Sequence, residues 1–159
     1  MKVMIVDDSL TMRRMVMRAL RDGGIKAEIQ EAPDGTDALA MMGSPPPSLI
    51  ICDYAMPKLD GLKFATAVRQ KYGADKVKII MLPHHEGNAF VEQALRAGAE
   101  GYLSKDSDPA ELALAIEAVN RGDPFVSPRV AAGLVGGLRG VQSGAAPKSR
   151  LAGLTQREQ

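Results

Sequence analysis

The chain alternates between short apolar runs and longer segments in which apolar residues recur at helical spacing. Short apolar runs recur in the first 121 residues, and three of them are nearly continuous, which is typical of parallel strands that helices cover on both faces. Two weaker runs complete the set, so the pattern predicts five strands. They lie at about 3–6, 27–29, 49–52, 77–82 and 102–103.

Between these runs, apolar positions repeat about every 3.6 residues, the period of a helix with one buried face. The first such segment runs from Ser9, a favourable N-cap, to about Arg21, and Gly23 and Gly24 follow it. Five strands that alternate with five helices imply a doubly wound α/β sandwich. The other helices are predicted at about 35–42, 62–72, 88–97 and 109–120.

The composition changes after residue 121. The 38 residues from 122 onward hold seven of the 16 glycines, with five Lys and Arg against two Asp and Glu. Glycine at this density favours a flexible connection. We therefore predict a compact domain over 1–121 and a slightly basic linker over 122–153, in which Ser127 and Pro128 favour the start of a short helix.

Charge and hydropathy narrow the classes of function. A formal net charge of +1 carries no signature of nucleic-acid or membrane-surface binding. No apolar stretch approaches the roughly 18 residues that span a bilayer, and Asp7 and Asp8 interrupt the early apolar run, so no signal peptide is predicted. The single cysteine, Cys52, excludes a disulfide framework and indicates a reducing compartment. We expect a soluble, cytoplasmic protein without membrane contact.

Charged residues follow several predicted strands at the point where each strand ends. Asp7 and Asp8 follow the first strand, Asp53 the third and Lys105 the fifth. In an open parallel sheet the carboxyl ends meet at one edge, where clustered carboxylates repel one another unless a cation lies among them. Hard oxygen ligands of this kind suit Mg²⁺. A metal and a lysine around one carboxylate predict a phosphoryl site with Asp53 as the nucleophile.

A second interpretation of these acids is that each one caps the helix that follows it. Capping accounts well for Asp8 or Asp53 taken alone, because Asp is a favoured N-cap residue. Four charged groups at the same edge of one sheet favour the phosphoryl site instead.

The loop after the third strand carries a motif of its own. Asp53 opens the run Asp-Tyr-Ala-Met-Pro, and Asp60 and Gly61 follow Pro57 after a short gap. Pro57 can start a helix in its first turn, where a missing N–H costs nothing. Gly61 is expected to relieve backbone crowding beside the acidic pocket.

In this order and spacing, the motifs resemble the receiver domain of a two-component response regulator over about residues 1–121. The matching segments are Val6–Ser9, 53–61 and Gly98–Lys105. The resemblance implies a CheY-like, flavodoxin-like fold: a doubly wound, five-stranded parallel sheet with five helices, followed here by the C-terminal linker. It also implies that a sensor histidine kinase donates the phosphoryl group.

The resemblance further implies a role for each matching residue. Asp53 is the phosphoacceptor. Asp7 and Asp8 hold Mg²⁺ together with Asp53 and the backbone carbonyl of Ala55. Lys105 pairs with the phosphoryl group.

The family pattern breaks at the end of the fourth strand, where receivers usually carry Ser or Thr and this chain carries Pro83. In the family, that hydroxyl moves toward the phosphoryl group and couples it to a rotating aromatic residue of the output face, here Tyr102. Proline offers no hydrogen-bond donor, although the backbone N–H of His84 remains a candidate donor to the phosphoryl group. The lost bond is worth about 1.5–3 kcal/mol, comparable to an allosteric coupling free energy of about 1–3 kcal/mol. Pro83 is therefore either a tolerated variant or the mark of an atypical receiver.

The last residues carry a second resemblance. Residues 154–158, Leu-Thr-Gln-Arg-Glu, are similar to the opening of a LuxR-type helix-turn-helix domain, and 101–130 resemble the linker side of the same NarL-type subfamily of transcription factors. The chain stops at Gln159 before any recognition helix, which we interpret as a cut at a domain boundary rather than a natural truncation. Residues 154–159 are then the start of a DNA-binding domain. Five basic residues in the tail are too few for DNA binding without that domain.

The first predicted helix has a basic side, formed by Arg13, Arg14, Arg18 and Arg21. These residues fit the docking of a sensor kinase and a solvated basic face equally well.

Two function hypotheses follow. The first is an Mg²⁺-dependent phosphoacceptor that controls an attached DNA-binding domain through dimerisation, using the fourth helix, fifth strand and fifth helix or the first and fifth helices. The alternative is a phosphorylation-independent pseudo-receiver, a dimerisation or protein-interaction module, which Pro83 favours. A dedicated enzyme on this fold is disfavoured, because the second acid that an aspartyl phosphotransferase needs two residues after Asp53 is Ala55. We expect slow self-dephosphorylation at most.

Overall fold

The computed structural model describes residues 1–43, 45–56, 58–73, 76–82, 88–104 and 108–126, without the side chains of 88–91. Within these ranges the chain forms five helices and six strands in alternation. The helices are α1 (Leu10–Asp22), α2 (Gly35–Met41), α3 (Gly61–Tyr72), α4 (Asn88–Arg96) and α5 (Pro109–Asn120). The strands are β1 (Lys2–Val6), β2 (Glu28–Ala32), β3 (Leu49–Asp53), β4 (Lys78–Leu82), β5 (Gly101–Tyr102) and β6 (Phe125–Val126).

The strands form one parallel sheet in the order β2-β1-β3-β4-β5-β6. This arrangement confirms the doubly wound α/β fold that the alternation of strands and helices predicts. The strand order reverses at β1, since β2 lies on one side of it and β3 on the other. A crevice outside the carboxyl ends of the strands at such a reversal is where open α/β sheets bind ligands.

Two apolar layers, one on each face of the sheet, form the core. Met4, Ile50 and Phe64 belong to the layer under α2, α3 and α4, and all three are fully buried. Leu20 and Ile116, from α1 and α5, lie in the layer on the other face. Because both faces are covered, β3 is buried along its whole length, as its continuous apolar run predicts.

The number of strands differs from the prediction by one. The sixth strand, β6, pairs with β5 and lies beyond the predicted end of the compact domain at residue 121. Gly122 turns the chain after α5 with a φ of +93°, a conformation that suits glycine. The Phe125 N–H then donates to the Glu100 carbonyl over 3.0 Å. Phe125 and Val126 pack on opposite layers of the core, and a two-residue strand is too short to show a periodic pattern.

The edge strand β2 extends further than predicted, from Glu28 to Ala32 rather than over 27–29. Its residues pair with β1 from Lys2↔Glu28 to Val6↔Ala32, but only Ala32 is buried. A strand at the sheet edge keeps polar side chains in solvent, so its apolar signal is weak.

Side chains cap the N-termini of several described helices, and Ser9 is the cap that the sequence predicts. Ser9 caps α1 by accepting a hydrogen bond from the Met12 N–H over 3.2 Å. Asp60 caps α3 and Asp108 caps α5 in the same way, over 2.9 Å each. Among the described residues, every helix is too short or too polar to cross a bilayer.

Candidate functional site

Three carboxylates meet at the carboxyl edge of the sheet. Asp7 and Asp8 follow β1, and Asp53 ends β3. The two strands are neighbours with Val6 opposite Cys52, and one carboxylate oxygen of each acid lies within 4.8 Å of the others. Asp7 and Asp53 are only 2% and 1% exposed, whereas Asp8 is exposed. The structure therefore brings together the three acids that the sequence analysis placed at this edge.

The chemistry of this cluster fits a hard divalent cation. Repulsion between carboxylates at this separation adds to the free energy required to bury them in ionised form, and a cation among them offsets that repulsion. Mg²⁺ takes one or two carboxylates and completes its shell with water, and the exposed side of Asp8 leaves the cluster open to solvent. The donor set thus fits Mg²⁺.

Local hydrogen bonds hold the two buried carboxylates in place. Asp7 Oδ1 accepts a hydrogen bond from the Ser9 N–H over 2.8 Å, and Asp53 Oδ1 accepts one from the Ala55 N–H over 3.3 Å. The Arg13 guanidinium donates to the Asp7 carbonyl over 2.7 Å and pairs with a carboxylate of β2 over 3.0 Å. Arg13 therefore fixes the loop that carries the acids, a role that its place in a basic helix did not indicate.

Gly61 lies against the phosphoacceptor candidate. A Cβ atom at this position would lie 2.5 Å from the Asp53 carbonyl oxygen and 2.9 Å from the Met81 sulfur. The Gly61 N–H donates to the Tyr54 carbonyl over 2.8 Å. The expectation that glycine relieves crowding beside the acidic pocket is confirmed.

A third buried acid, Asp34, was not among the sequence candidates. It caps α2, since Asp34 Oδ1 accepts the Asp37 N–H over 2.8 Å, and its Oδ2 lies 3.4 Å from Lys58 Nζ. The Asp37 N–H and the Lys58 ammonium hold the pKa of Asp34 below its usual value, against the opposing effect of burial. The signal for it was present, because Asp34 directly precedes the helix predicted at about 35–42, and Asp is a favoured N-cap residue.

Tyr102 is fully buried on β5, where it lies opposite Met81 of β4 and Val126 of β6. Ser104, shortly after β5, is also buried. The other predicted groups, Pro83, His84 and Lys105, lie outside the described residues, as do Pro57 and the tail after Val126.

Comparison with known proteins is consistent with this fold and this cluster. Residues 3–117 match the response regulator receiver domain family. The chain is 36% identical over 138 residues to the probable transcriptional regulatory protein NarL of Mycobacterium tuberculosis, covering 87% of this chain and 63% of NarL. It is 38% identical over 118 residues to the probable chemotaxis protein CheY of Rhizobium etli, covering 74% of this chain and 91% of that protein.

A solved structure is similar as well. The chain matches the crystal structure of a LuxR-family two-component response regulator from Aurantimonas sp. SI85-9A1 with a TM-score of 0.78 and 34% identity, covering 84% of this chain and 94% of that one. The family match covers well over half of the sequence, and its bounds enclose all three clustered acids. The chain therefore belongs to the response regulator receiver domain family, in the branch of NarL- and LuxR-type two-component regulators.

Proposed function

We propose that this chain accepts a phosphoryl group on Asp53 from a sensor histidine kinase, with Mg²⁺ bound, and thereby controls an attached DNA-binding domain. The observation that carries the proposal is the cluster of Asp7, Asp8 and Asp53 within 4.8 Å at the strand-order reversal of a receiver fold. An acidic pocket that binds Mg²⁺ is a property of receiver domains as a family, and the cluster fits it.

Each residue of the pocket then has a part in phosphoryl transfer. Asp7 and Asp8 hold the cation together with Asp53 and the backbone carbonyl of Ala55, and the cation supplies positive charge that offsets the charge on the phosphoryl oxygens. The Asp53 carboxylate is the nucleophile, and its Oδ1 is oriented by the Ala55 N–H. Lys105 and the His84 backbone N–H are the proposed partners of the phosphoryl oxygens.

The proposed partners follow from the family and from the surface of α1. Receiver domains of this kind interact with histidine kinases, and some dimerise. Arg14, Arg18 and Arg21 are exposed at helical spacing on α1, whereas Arg13 is engaged in the acid-bearing loop. We assign the exposed arginines to kinase docking.

The chain spans 63% of the length of NarL. The DNA-binding output domain of the whole protein is therefore a proposal. The proposed organisation is a receiver over 1–121 that β6 extends to Val126, a linker from there to 153 and the start of a helix-turn-helix domain at 154–159. In this arrangement dimerisation of the receiver in the cytoplasm places the DNA-binding domains, and the receiver itself has at most slow self-dephosphorylation. Receivers are phosphoacceptors and are not classed as enzymes.

The proline at residue 83 supports a second candidate function. A receiver without the coupling hydroxyl can act as a dimerisation or interaction module whose assembly does not depend on phosphorylation.

Intact-mass spectrometry after incubation with Mg²⁺ and acetyl phosphate separates the two candidates. We expect an adduct of about 80 Da, one phosphoryl group, that is absent in Asp53→Ala and present in the matched control Asp22→Ala. Size-exclusion chromatography of the same samples is expected to shift toward a dimer. No adduct, or an adduct with unchanged assembly, would contradict the proposal and favour the phosphorylation-independent module.

A further inference from the structure

Tyr54 directly follows the proposed phosphoacceptor and reaches α4 with its side chain. Its phenol oxygen lies 2.9 Å from Gln93 Oε1, joining residues 39 positions apart in the sequence. The ring is half-buried and packs against the core layer under α2, α3 and α4. One residue thus connects the end of β3 to α4.

The main chain of Tyr54 is held on both sides. Its N–H donates to the Leu82 carbonyl over 3.3 Å, and its carbonyl accepts the Gly61 N–H over 2.8 Å. The next N–H, that of Ala55, donates to Asp53 Oδ1. A phosphoryl group on the Asp53 carboxylate changes the charge and the hydrogen-bond acceptor capacity of Oδ1, the atom to which this N–H donates. Phosphorylation of Asp53 is therefore expected to change the backbone conformation at Tyr54.

The phenol is a proton donor at neutral pH. The protonated hydroxyl can then donate to the amide oxygen of Gln93, which lies one residue before Ala94, a fully buried residue of α4. Gln93 is therefore attached to a part of α4 that is anchored in the core.

We propose that Tyr54 is a positioning residue that transmits the state of Asp53 to α4 through its hydrogen bond to Gln93. This inference rests on the proposed function, because it requires phosphorylation of Asp53. It supplies a route to α4 that needs no hydroxyl at residue 83, where the sequence has proline.

The test uses beryllofluoride with Mg²⁺ as the phosphoryl mimic and hydrogen–deuterium exchange as the measurement, on the full chain. In the wild type we expect the mimic to alter exchange in the peptide that contains Asp53, and to change exchange in α4 by about two- to tenfold, the effect of one hydrogen bond. In Tyr54→Phe the Asp53 peptide still responds, but the mimic-induced change in α4 is largely lost. A purely structural role would alter α4 equally with and without the mimic and leave that difference intact.

Gln93→Leu and the double variant complete a double-mutant cycle. Gln93→Leu is expected to match Tyr54→Phe, and the double variant to add nothing further. Tyr72→Phe is the matched control, because that hydroxyl contacts the Gly43 carbonyl on another part of the surface, and it should behave as the wild type.

The outcomes separate the inference from the function on which it rests. A full α4 response in Tyr54→Phe, or independent effects of the two substitutions, overturns the inference alone. The same holds if the Asp53 peptide of the wild type responds while α4 does not. If neither peptide of the wild type responds, the proposed function fails and the inference fails with it.

Discussion

At the scale of single residues, the site combines buried negative charge with a close approach of backbone. Asp7 and Asp53 are almost completely buried, and their oxygens lie within 4.8 Å of each other and of an oxygen of Asp8. Gly61 approaches the main chain of Asp53 so closely that no side chain fits between them. The clustered charges cost stability when no cation is bound, and the close approach admits only glycine at residue 61.

Asp7→Asn is expected to stabilise the metal-free protein and to weaken its response to Mg²⁺. Removing one of three neighbouring negative charges should raise the free energy of unfolding by on the order of 1–3 kcal/mol at neutral pH. The stabilisation that Mg²⁺ gives the wild type, which grows with ligand concentration over its dissociation constant, should shrink. Urea unfolding in chelator and in Mg²⁺ measures both effects.

The matched control for this experiment is Asp22→Asn, since Asp22 is exposed at the end of α1. It should respond to Mg²⁺ as the wild type does. An unchanged Mg²⁺ response in Asp7→Asn would remove Asp7 from the set of cation ligands.

Gly61→Ala is expected to lower the free energy of unfolding by about 1–3 kcal/mol, the usual cost of forcing an extra methyl into a packed site. The new Cβ would lie 2.5 Å from a backbone oxygen, which cannot move aside as a side chain can. Gly43→Ala is the control, because a Cβ there meets nothing within 4 Å. Equal chemical-denaturation midpoints for the two variants would contradict the close packing.

At the scale of elements, side chains cap the N-termini of α1, α2, α3 and α5, and the cap of α2 carries a pH dependence. Asp34 accepts the Asp37 N–H and lies beside Lys58, and both interactions favour its ionised form. A carboxyl whose pKa is lowered in the folded state contributes stability above its unfolded pKa. That stability is lost as the pH falls through the folded pKa.

Asp34→Asn tests this dependence while keeping the cap, because Asn is as good an N-cap residue as Asp. As the pH falls from 7 toward 3, the wild type should lose stability relative to the variant, so the difference between their free energies of unfolding shifts in favour of Asp34→Asn. Urea unfolding at several pH values measures it. A difference that stays constant over this range would show that the Asp34 charge adds nothing to the fold.

At the scale of the whole molecule, the sheet continues past the boundary that composition suggests. Composition changes at residue 121, but β6 places Phe125 on one core layer and Val126 on the other. Without β6, β5 would be the sheet edge, and its buried Tyr102 would lose a neighbouring strand.

A chain that ends at residue 121 should therefore be less stable than one that ends at 126. We expect the free energy of unfolding to fall by about 1–3 kcal/mol, because the shorter chain lacks two partly buried apolar side chains and the pairing of β6 with β5. Thermal unfolding of the two truncated proteins gives the comparison, and the 159-residue chain is the reference. Equal melting temperatures for the two truncations would place the end of the domain at 121.

The sequence predicted the type and order of ten of the eleven elements in the described part of the chain, because continuous apolar runs and helical periods are local properties of the sequence. The sequence also indicated Asp7, Asp8 and Asp53 as site residues, because a charged residue directly after a continuous apolar run is easy to recognise. It underestimated β2, whose side chains are mostly solvent-facing, and missed β6, whose two residues carry no period. Asp34 was missed as a buried acid because its local signal is shared by any helix cap.

The sequence by itself determined the α/β alternation, the cap of α1 and the acids at the strand ends, because each depends on residues close together in the chain. The tertiary structure decided which strands are neighbours, and hence that acids 46 residues apart lie within 4.8 Å. It also decided that Arg13 supports the Asp7 loop and that Tyr54 reaches Gln93. These contacts depend on how crossover connections order the strands, which no local pattern of residues encodes.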